Sequence, residues 1–293
     1  MNGMPYSSIK KNILSIGYVL IIPITLCLLS ISATWIRTDS NAEMKIVSVN
    51  GAMSEIICGL GLQSSLVGVD VTSTYPESLN NVVKIGHNRS VSAEGIIALT
   101  PSLVVGMQND LKPTVIEQLT SSSIKTKLFV QDYSVEGTKK LITDAGVYFN
   151  QVAKATSLIK QLEVDIASVK KSSVKKKVLF IYARGAGSMM VSGTGTSVDK
   201  IIDLSGAENA ISGFADFKPL TSEALIAANP DVILLFDSGL ESIGVIDGLL
   251  KMQGIAQTNA GKNKKIITMD GQLLTGFGPR LGKAMIELSS KLY

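Results

Sequence analysis

The sequence predicts an α/β protein of two lobes joined by one long helix. Short apolar runs rich in β-branched residues alternate with segments of helical spacing, and this alternation occurs twice along the chain. Such alternation is typical of parallel strands connected by helices. A stretch without glycine or proline lies between the two series at 151–171, and the segment 92–105 recurs 129 residues further on.

The strands are predicted at the short apolar runs, which are bounded by polar residues or glycine. The first run is followed by apolar residues at helical spacing between Gly51 and Gly61. The predicted strands are 45–50, 66–70, 103–106 and 127–132 in the first lobe, and 177–184, 232–237 and 265–270 in the second.

The connector between the lobes is predicted to be a helix, because its apolar residues keep spacings of three and four over 151–171. A helix of this length spans about 30 Å, and it is much stiffer than a glycine-serine linker. The predicted organisation is a targeting segment at 1–42, an N-terminal lobe at 43–150, a connecting helix at 151–172 and a C-terminal lobe at 173–293.

The targeting segment has the layout of a secretory signal peptide. Lys10 and Lys11 precede 25 residues without a charge at 12–36, and a short polar region ends at Ala42, where we expect cleavage. An uncleaved anchor is the alternative, since 25 uncharged residues can span a bilayer. Either way, the protein is predicted to be exported.

The composition excludes several functional classes. The net charge is only +4 and no basic stripe is present, so we expect no nucleic-acid partner. Two cysteines, Cys27 and Cys58, cannot form a disulfide framework or a cysteine-based zinc site. The single histidine excludes any site that needs two imidazoles. Neither a nucleophile elbow nor a P-loop is found in the sequence.

The internal repeat predicts one equivalent unit in each lobe, because 92–105 matches 221–234 without a gap. Each copy has a hydroxyl residue two positions before a glutamate, which is typical of a helix start. A proline then ends the helix and a buried strand follows. The matched glutamates are Glu94 and Glu223. Stabilisation of a helix N-terminus explains either one alone, and duplication could explain why both are present.

The loop 86–89 directly precedes the first copy and contains His87 and Arg89. In a doubly wound lobe such a loop lies at the sheet edge, where ligands bind. Imidazole can bind iron, and a guanidinium group can pair with a carboxylate. A hydrogen-bonded loop histidine without a ligand is the alternative.

Five segments carry a resemblance to a known family, and they are 46–61, 86–96, 210–214, 219–223 and 274–280. Together they resemble the haem-binding periplasmic proteins of bacterial haemin ABC importers, over essentially all of 44–293. The resemblance implies two Rossmann-like lobes joined by a single long helix, with the ligand cleft between the lobes. The broader superfamily also captures cobalamin, siderophores and metals.

The resemblance further implies a non-enzymatic periplasmic protein that delivers haem to a permease dimer, and we expect it to be a monomer. It implies that Glu94 and Glu223, one from each lobe, dock on the permease. His87 would be the axial ligand of the haem iron, although the haem-binding proteins of this family usually carry tyrosine there. Arg89 would orient a propionate or support the iron ligand, and Arg184 would pair with a propionate or have no role.

Two other functions stay open. One is siderophore or cobalamin capture on the same fold. The other is an exported α/β enzyme that uses His87 as a general base, although no second catalytic residue is evident. Tyr182, Met189 and Met190 lie near Arg184 in the sequence, and we interpret them as apolar packing.

Overall fold

The computed structural model describes residues 44–170, 172–185 and 189–293, and the chain from Glu43 to Tyr293 forms one compact unit. The targeting segment predicted at 1–42 lies outside the described residues. In the part of the chain that is described, no helix is both long and apolar enough to cross a membrane.

The first sheet contains four described strands, and every neighbouring pair in it is parallel. Their order is β2-β1-β3-β4. The residues of β1 and β3 are buried throughout, as expected for a parallel sheet covered on both faces. The strands are β1 (Ile46–Ser48), β2 (Leu66–Val69), β3 (Leu103–Met107) and β4 (Lys125–Phe129), and the helices between and after them are α1 (Gly51–Gly59), α2 (Ala93–Ile97), α3 (Pro113–Ser121) and α4 (Val135–Tyr148).

The second sheet is mixed, with six strands among the described residues. Five of them follow the order β10-β9-β5-β6-β8, and β7 pairs with β5. The pairs β5–β6 and β6–β8 are antiparallel, and neither β6 nor β8 was predicted from the sequence. The strands are β5 (Lys177–Ala183), β6 (Met189–Ser192), β7 (Glu208–Asn209), β8 (Phe217–Pro219), β9 (Val232–Phe236) and β10 (Ile266–Met269).

The connecting helix α5 (Val152–Ala167) has 16 residues and spans about 24 Å, so it ends earlier than predicted. Ala155 and Leu162 are its buried residues. The helices that follow it are α6 (Ser197–Leu204), α7 (Ser222–Ala228), α8 (Asp237–Ser242), α9 (Val245–Leu250), α10 (Asn259–Lys262), α11 (Gly271–Thr275) and α12 (Leu281–Leu292).

One hydrophobic core extends through both halves of the chain. It includes buried residues of the first sheet, of α5, of the second sheet and of α12, for example Ile46, Leu162, Phe180 and Leu288. Helix α12 reaches α5 closely at Gly282, where an added Cβ would lie 2.5 Å from the Cβ of Asp165. The boundaries predicted at 150 and 172 remain a proposal, which agrees with the end of the first sheet at β4 and the start of the second at β5.

The two copies of the repeat form the same local structure. Ser92 Oγ accepts the N–H of Gly95 at 3.2 Å, and Thr221 Oγ1 accepts the N–H of Ala224 at 3.1 Å. These bonds cap α2 and α7 as the sequence predicted. The residue before the proline has a positive φ in both copies, and these residues are Thr100 and Asn229.

The repeat also anchors the central strand of each half. Ser102 Oγ accepts the N–H of Lys45 at 3.1 Å, and Asp231 Oδ2 accepts the N–H of Lys177 at 3.0 Å. Ser102 and Asp231 are 129 residues apart, so the match extends from the sequence to side-chain contacts.

Replacing Gly282 by alanine should lower the free energy of unfolding by about 1–2 kcal/mol, even though alanine favours the helix. The reason is the 2.5 Å approach of the added Cβ to Asp165. Denaturant unfolding followed by circular dichroism measures the change. Gly213→Ala is the control, because no atom of the described residues lies within 4 Å of its added Cβ. Equal unfolding midpoints for the two variants would contradict the close contact of α5 and α12.

Candidate ligand-binding site

His87 lies at the carboxyl edge of the first sheet, meaning the edge at which the parallel strands end. After β2 the chain turns back, so that the N–H of Val71 donates to the carbonyl of Gly86 and the N–H of Ile85 to that of Val69, both at 3.0 Å. Gly86 has a φ of +96°, which favours glycine. These bonds place His87 beside the edge strand β2, as predicted for a ligand-binding loop.

His87 is half-buried, and it is the N-cap residue of a short 3₁₀ turn at Asn88–Ser90. Its Nδ1 accepts the backbone N–H of Arg89 at 3.3 Å. In the neutral ring the proton therefore lies on Nε2. Binding iron through Nε2 would move that proton to Nδ1 and break the long bond to Arg89. A ligand that takes the Nε2 lone pair therefore requires the other tautomer of His87, with the proton on Nδ1.

Arg89 is exposed, and its charge acts on Tyr133, which the sequence analysis missed. Burial raises the pKa of Tyr133, the Asp110 carboxylate raises it further, and Arg89 lowers it. Tyr133 follows the end of β4 and packs edge-to-face on Phe277, with ring centroids 5.2 Å apart. Its position just after a parallel strand was the signal that could have identified it.

Arg184 directly follows β5, and its guanidinium carbon lies 5.2 Å from the ring centroid of Tyr182. The half-buried Tyr182 ring has edge contacts with Phe217 and Phe236, with centroids 6.4 and 5.9 Å away. Tyr182 packs against the core, and 38% of Phe217 is exposed. The sequence analysis placed Tyr182 among packing residues and missed the aromatic group around it.

The carboxyl edge of the first sheet also exposes apolar side chains. Val71 and Tyr75 follow β2, Val130 follows β4, and all three are exposed. Exposed apolar groups next to a few polar ones are typical of ligand sites. Together with the aromatic cluster of Tyr182, Phe217 and Phe236, these side chains provide apolar surface where strands of both sheets end.

Residues after β10 contact residues after β2 and β4. Gln272 Oε1 accepts the backbone N–H groups of Thr74 and Tyr75 at 2.7 and 2.9 Å. Gln131 Nε2 donates to the carbonyl of Gly276 at 2.8 Å. The carboxyl edges of the two sheets therefore approach each other here.

A buried ion pair lies next to this contact. Arg280 Nε donates to Glu55 Oε2 at 3.0 Å, and the guanidinium carbon lies 3.7 Å from the ring centroid of Tyr75. Burial raises the pKa of Glu55, and the nearby Arg280 opposes that effect. Among the described residues, neither Glu55 Oε1 nor Arg280 Nη2 has a hydrogen-bond partner. The sequence analysis missed this pair, although a carboxylate within the apolar α1 segment was a signal for it.

The two matched glutamates are exposed in the first turns of their helices, Glu94 in α2 and Glu223 in α7. Within the described residues neither forms an ion pair. Because each helix leads into a parallel strand, its N-terminus lies toward the carboxyl edge of its sheet. Beside Glu94 is a groove of about 470 Å³, lined by Ala93, Glu94, Ile97, Glu117, Gln118, Ser121 and Ser122.

A family model described as periplasmic binding protein matches residues 46–273. The chain belongs to the periplasmic binding protein family. Its structure is similar to that of the periplasmic heme-binding protein RhuT from Roseiflexus sp. RS-1, with a TM-score of 0.82 and 37% identity. That match covers 85% of this chain and 98% of RhuT. The two-lobe α/β fold predicted from the sequence is thereby confirmed.

A second similar structure is the heme binding protein HmuT, with a TM-score of 0.77 and 30% identity over 85% of this chain and 84% of HmuT. HmuT has also been solved with alanine replacing a histidine, a tyrosine, or an arginine two positions after that tyrosine. This chain also has a histidine, His87, and a tyrosine two positions before an arginine, Tyr182 and Arg184.

Of two curated relatives, one has a name that states its ligand and the other does not. The ABC transporter substrate-binding lipoprotein YvrC of Bacillus subtilis is 29% identical over 87% of this chain and 82% of YvrC. The vitamin B12-binding protein of Salmonella paratyphi A is 25% identical over 66% of this chain and 73% of its own length.

The stability of this periplasmic binding protein should fall as the pH rises above the ordinary glutamate value of 4.5, partly because of Glu55. Since burial raises the pKa of Glu55, the folded state keeps a proton that the unfolded chain has already released. Rising pH through this window therefore favours unfolding. Glu55→Gln should weaken the pH dependence, and unfolding free energies measured across pH test this. Glu223→Gln, at an exposed site, is the control, and an identical slope in Glu55→Gln and wild type would contradict the assignment.

Proposed function

We propose that this protein captures haem in the periplasm and delivers it to the permease of an ABC importer, without catalysing a reaction. The observation that carries the proposal is the position of the single histidine. His87 lies at the carboxyl edge of the first sheet beside Arg89 and exposed apolar side chains, in a fold shared with RhuT and HmuT. Haem is a flat apolar ring with an iron atom and two propionates, and it needs these three kinds of contact.

His87 is the proposed axial ligand of the haem iron, bound through Nε2. A neutral imidazole should favour a higher iron potential than a tyrosine phenolate would. Arg89 and Arg184 are proposed to pair with the propionates, since an unpaired buried carboxylate is unfavourable. Both arginines are exposed at a carboxyl edge, so they are accessible to an entering ligand.

Tyr182 is the proposed second iron ligand, from the other half of the chain. Its phenol lies near the end of β5 and the Arg184 guanidinium lies over its ring. Tyrosine is a known protein ligand of haem iron. The tyrosine and arginine replaced in HmuT have the same spacing as Tyr182 and Arg184, which supports this proposal.

Cobalamin capture is the second candidate, and the similarity to vitamin B12-binding proteins favours it. A corrin is also a flat macrocycle with a metal at its centre. It lacks the free propionates of haem, so it would bring no carboxylates to pair with Arg89 and Arg184. The two functions therefore differ in how strongly binding depends on these arginines.

We also propose that Glu94 and Glu223 dock on arginines of a permease dimer and that the protein acts as a monomer. Both carboxylates are exposed and form no ion pair with any described residue, so they are accessible. The groove beside Glu94 contains a second carboxylate, Glu117, which strengthens the negative charge of this face. Export would follow from the segment 1–42, removed by cleavage or kept as an anchor.

His87→Ala should lower the affinity for haemin by more than about tenfold, or about 1.4 kcal/mol, and change the Soret spectrum. His87→Tyr should keep binding and give a phenolate-like spectrum. Absorbance titration with haemin measures both. Ser78→Ala, at an exposed position in the segment between β2 and His87, is the control and should match wild type. If His87→Ala gives the wild-type titration and spectrum, His87 does not bind the iron.

The double variant Glu94→Ala/Glu223→Ala should bind haemin normally and fail to stimulate transport by the permease in reconstituted vesicles. Complementary charge at an interface favours both encounter rate and register. Each single variant should be intermediate. Glu208→Ala, another exposed glutamate of the second half, is the control. Normal transport by the double variant would leave the glutamates as helix-start residues only.

A further inference from the structure

The side chain of Gln272 crosses from the second half of the chain to the first. Its Oε1 accepts the N–H and the hydroxyl of Thr74 at 2.7 and 2.8 Å and the N–H of Tyr75 at 2.9 Å. Backbone N–H groups can only donate, so they fix which end of the amide faces the loop. The Nε2 group then donates to the carbonyl of Gly51 at 2.9 Å. The whole amide is thus used for contacts with the first half.

The loop bound by Gln272 is the one that carries His87. Lys84 Nζ donates a hydrogen bond of 2.6 Å to the carbonyl oxygen of Ser73, the residue before Thr74. The N–H of Val71 donates to the carbonyl of Gly86 at 3.0 Å. Both ends of the loop are therefore tied together, and a displacement of Thr74 would pass to the residue before His87.

A second side chain from the same region holds this loop. The Arg280 guanidinium lies over the Tyr75 ring at 3.7 Å and pairs with the buried Glu55. Gln272 holds the backbone at Tyr75 while Arg280 holds its ring. The loop that precedes His87 is thus fixed by the C-terminal part of the chain as well as by its own strand.

We propose that Gln272 is a positioning residue for His87. By holding the loop at Thr74 and Tyr75, it sets where the imidazole lies at the carboxyl edge. The iron ligand of one half of the molecule then depends on a side chain of the other half. The inference rests on the proposed function, in which His87 binds haem iron.

Hydrogen exchange of the ligand-free protein tests the positioning without any ligand. Gln272→Met keeps the side-chain volume and removes the hydrogen bonds. It should speed exchange of the Val71 and Ile85 amides by about tenfold, the effect of losing roughly one net hydrogen bond. Gln131→Met is the matched control, because it removes a cross-contact to Gly276 that does not involve this loop.

Haemin binding provides the second measurement. Gln272→Met should release haemin about tenfold faster and show an absorbance and electron paramagnetic resonance spectrum shifted toward that of His87→Ala. Gln131→Met should keep the wild-type spectrum. Wild-type exchange rates and spectrum in Gln272→Met would overturn the proposal. If the wild-type protein does not bind haemin, the proposed function fails, whereas the exchange comparison still decides whether Gln272 positions the loop.

Discussion

The packing of α12 against α5 is the contact on which the rest of the structure depends. The chain passes from the first sheet to the second through α5, and its last helix returns to lie along the same segment. Gly282 allows the close approach, since any side chain there would meet Asp165. Because one hydrophobic core extends through both helices and both sheets, separating the halves would expose apolar surface. We therefore expect small motions and a largely preformed site, which lowers the entropy lost on binding.

Polar contacts at the carboxyl edges complete this arrangement. Gln272 and Gln131 bridge the halves by hydrogen bonds, and Arg280 bridges them by an ion pair with Glu55. A buried ion pair is weak evidence for stability, because desolvation offsets most of the attraction. Its geometric effect is clearer, since it fixes the ring of Tyr75 next to the loop that carries His87. The scaffold thus determines not only the separation of the halves but also the position of the proposed iron ligand.

The sequence predicted those features that local patterns encode. Buried strands such as β5 and β9 are continuous apolar runs, and the caps at Ser92 and Thr221 follow from residue type and spacing. The strand β4 was placed too late in the chain, because it begins with the partly exposed Lys125-Thr126-Lys127 and shows no apolar run there. Strands β6 and β8 were missed for a similar reason, since they are short and β8 is exposed throughout.

The site was predictable only in part. His87 could be identified because it is the only histidine in the chain and lies in a loop before a repeated helix. The contacts around it could not, because they join residues far apart in sequence. Gln272 and Thr74 are separated by 198 residues, and no local spacing relates them. Tyr182 was interpreted as a packing residue, and its aromatic partners Phe217 and Phe236 could not be foreseen, because they join it only when β5, β6, β8 and β9 assemble into one sheet.

The most direct test of the account is a haemin titration of the purified protein in the presence of excess cyanocobalamin, followed in the Soret region. The account predicts saturable haemin binding with a defined stoichiometry, unaffected by the cobalamin. Displacement of haemin by cobalamin, or the absence of saturable haemin binding, would contradict the claim that haem is the ligand.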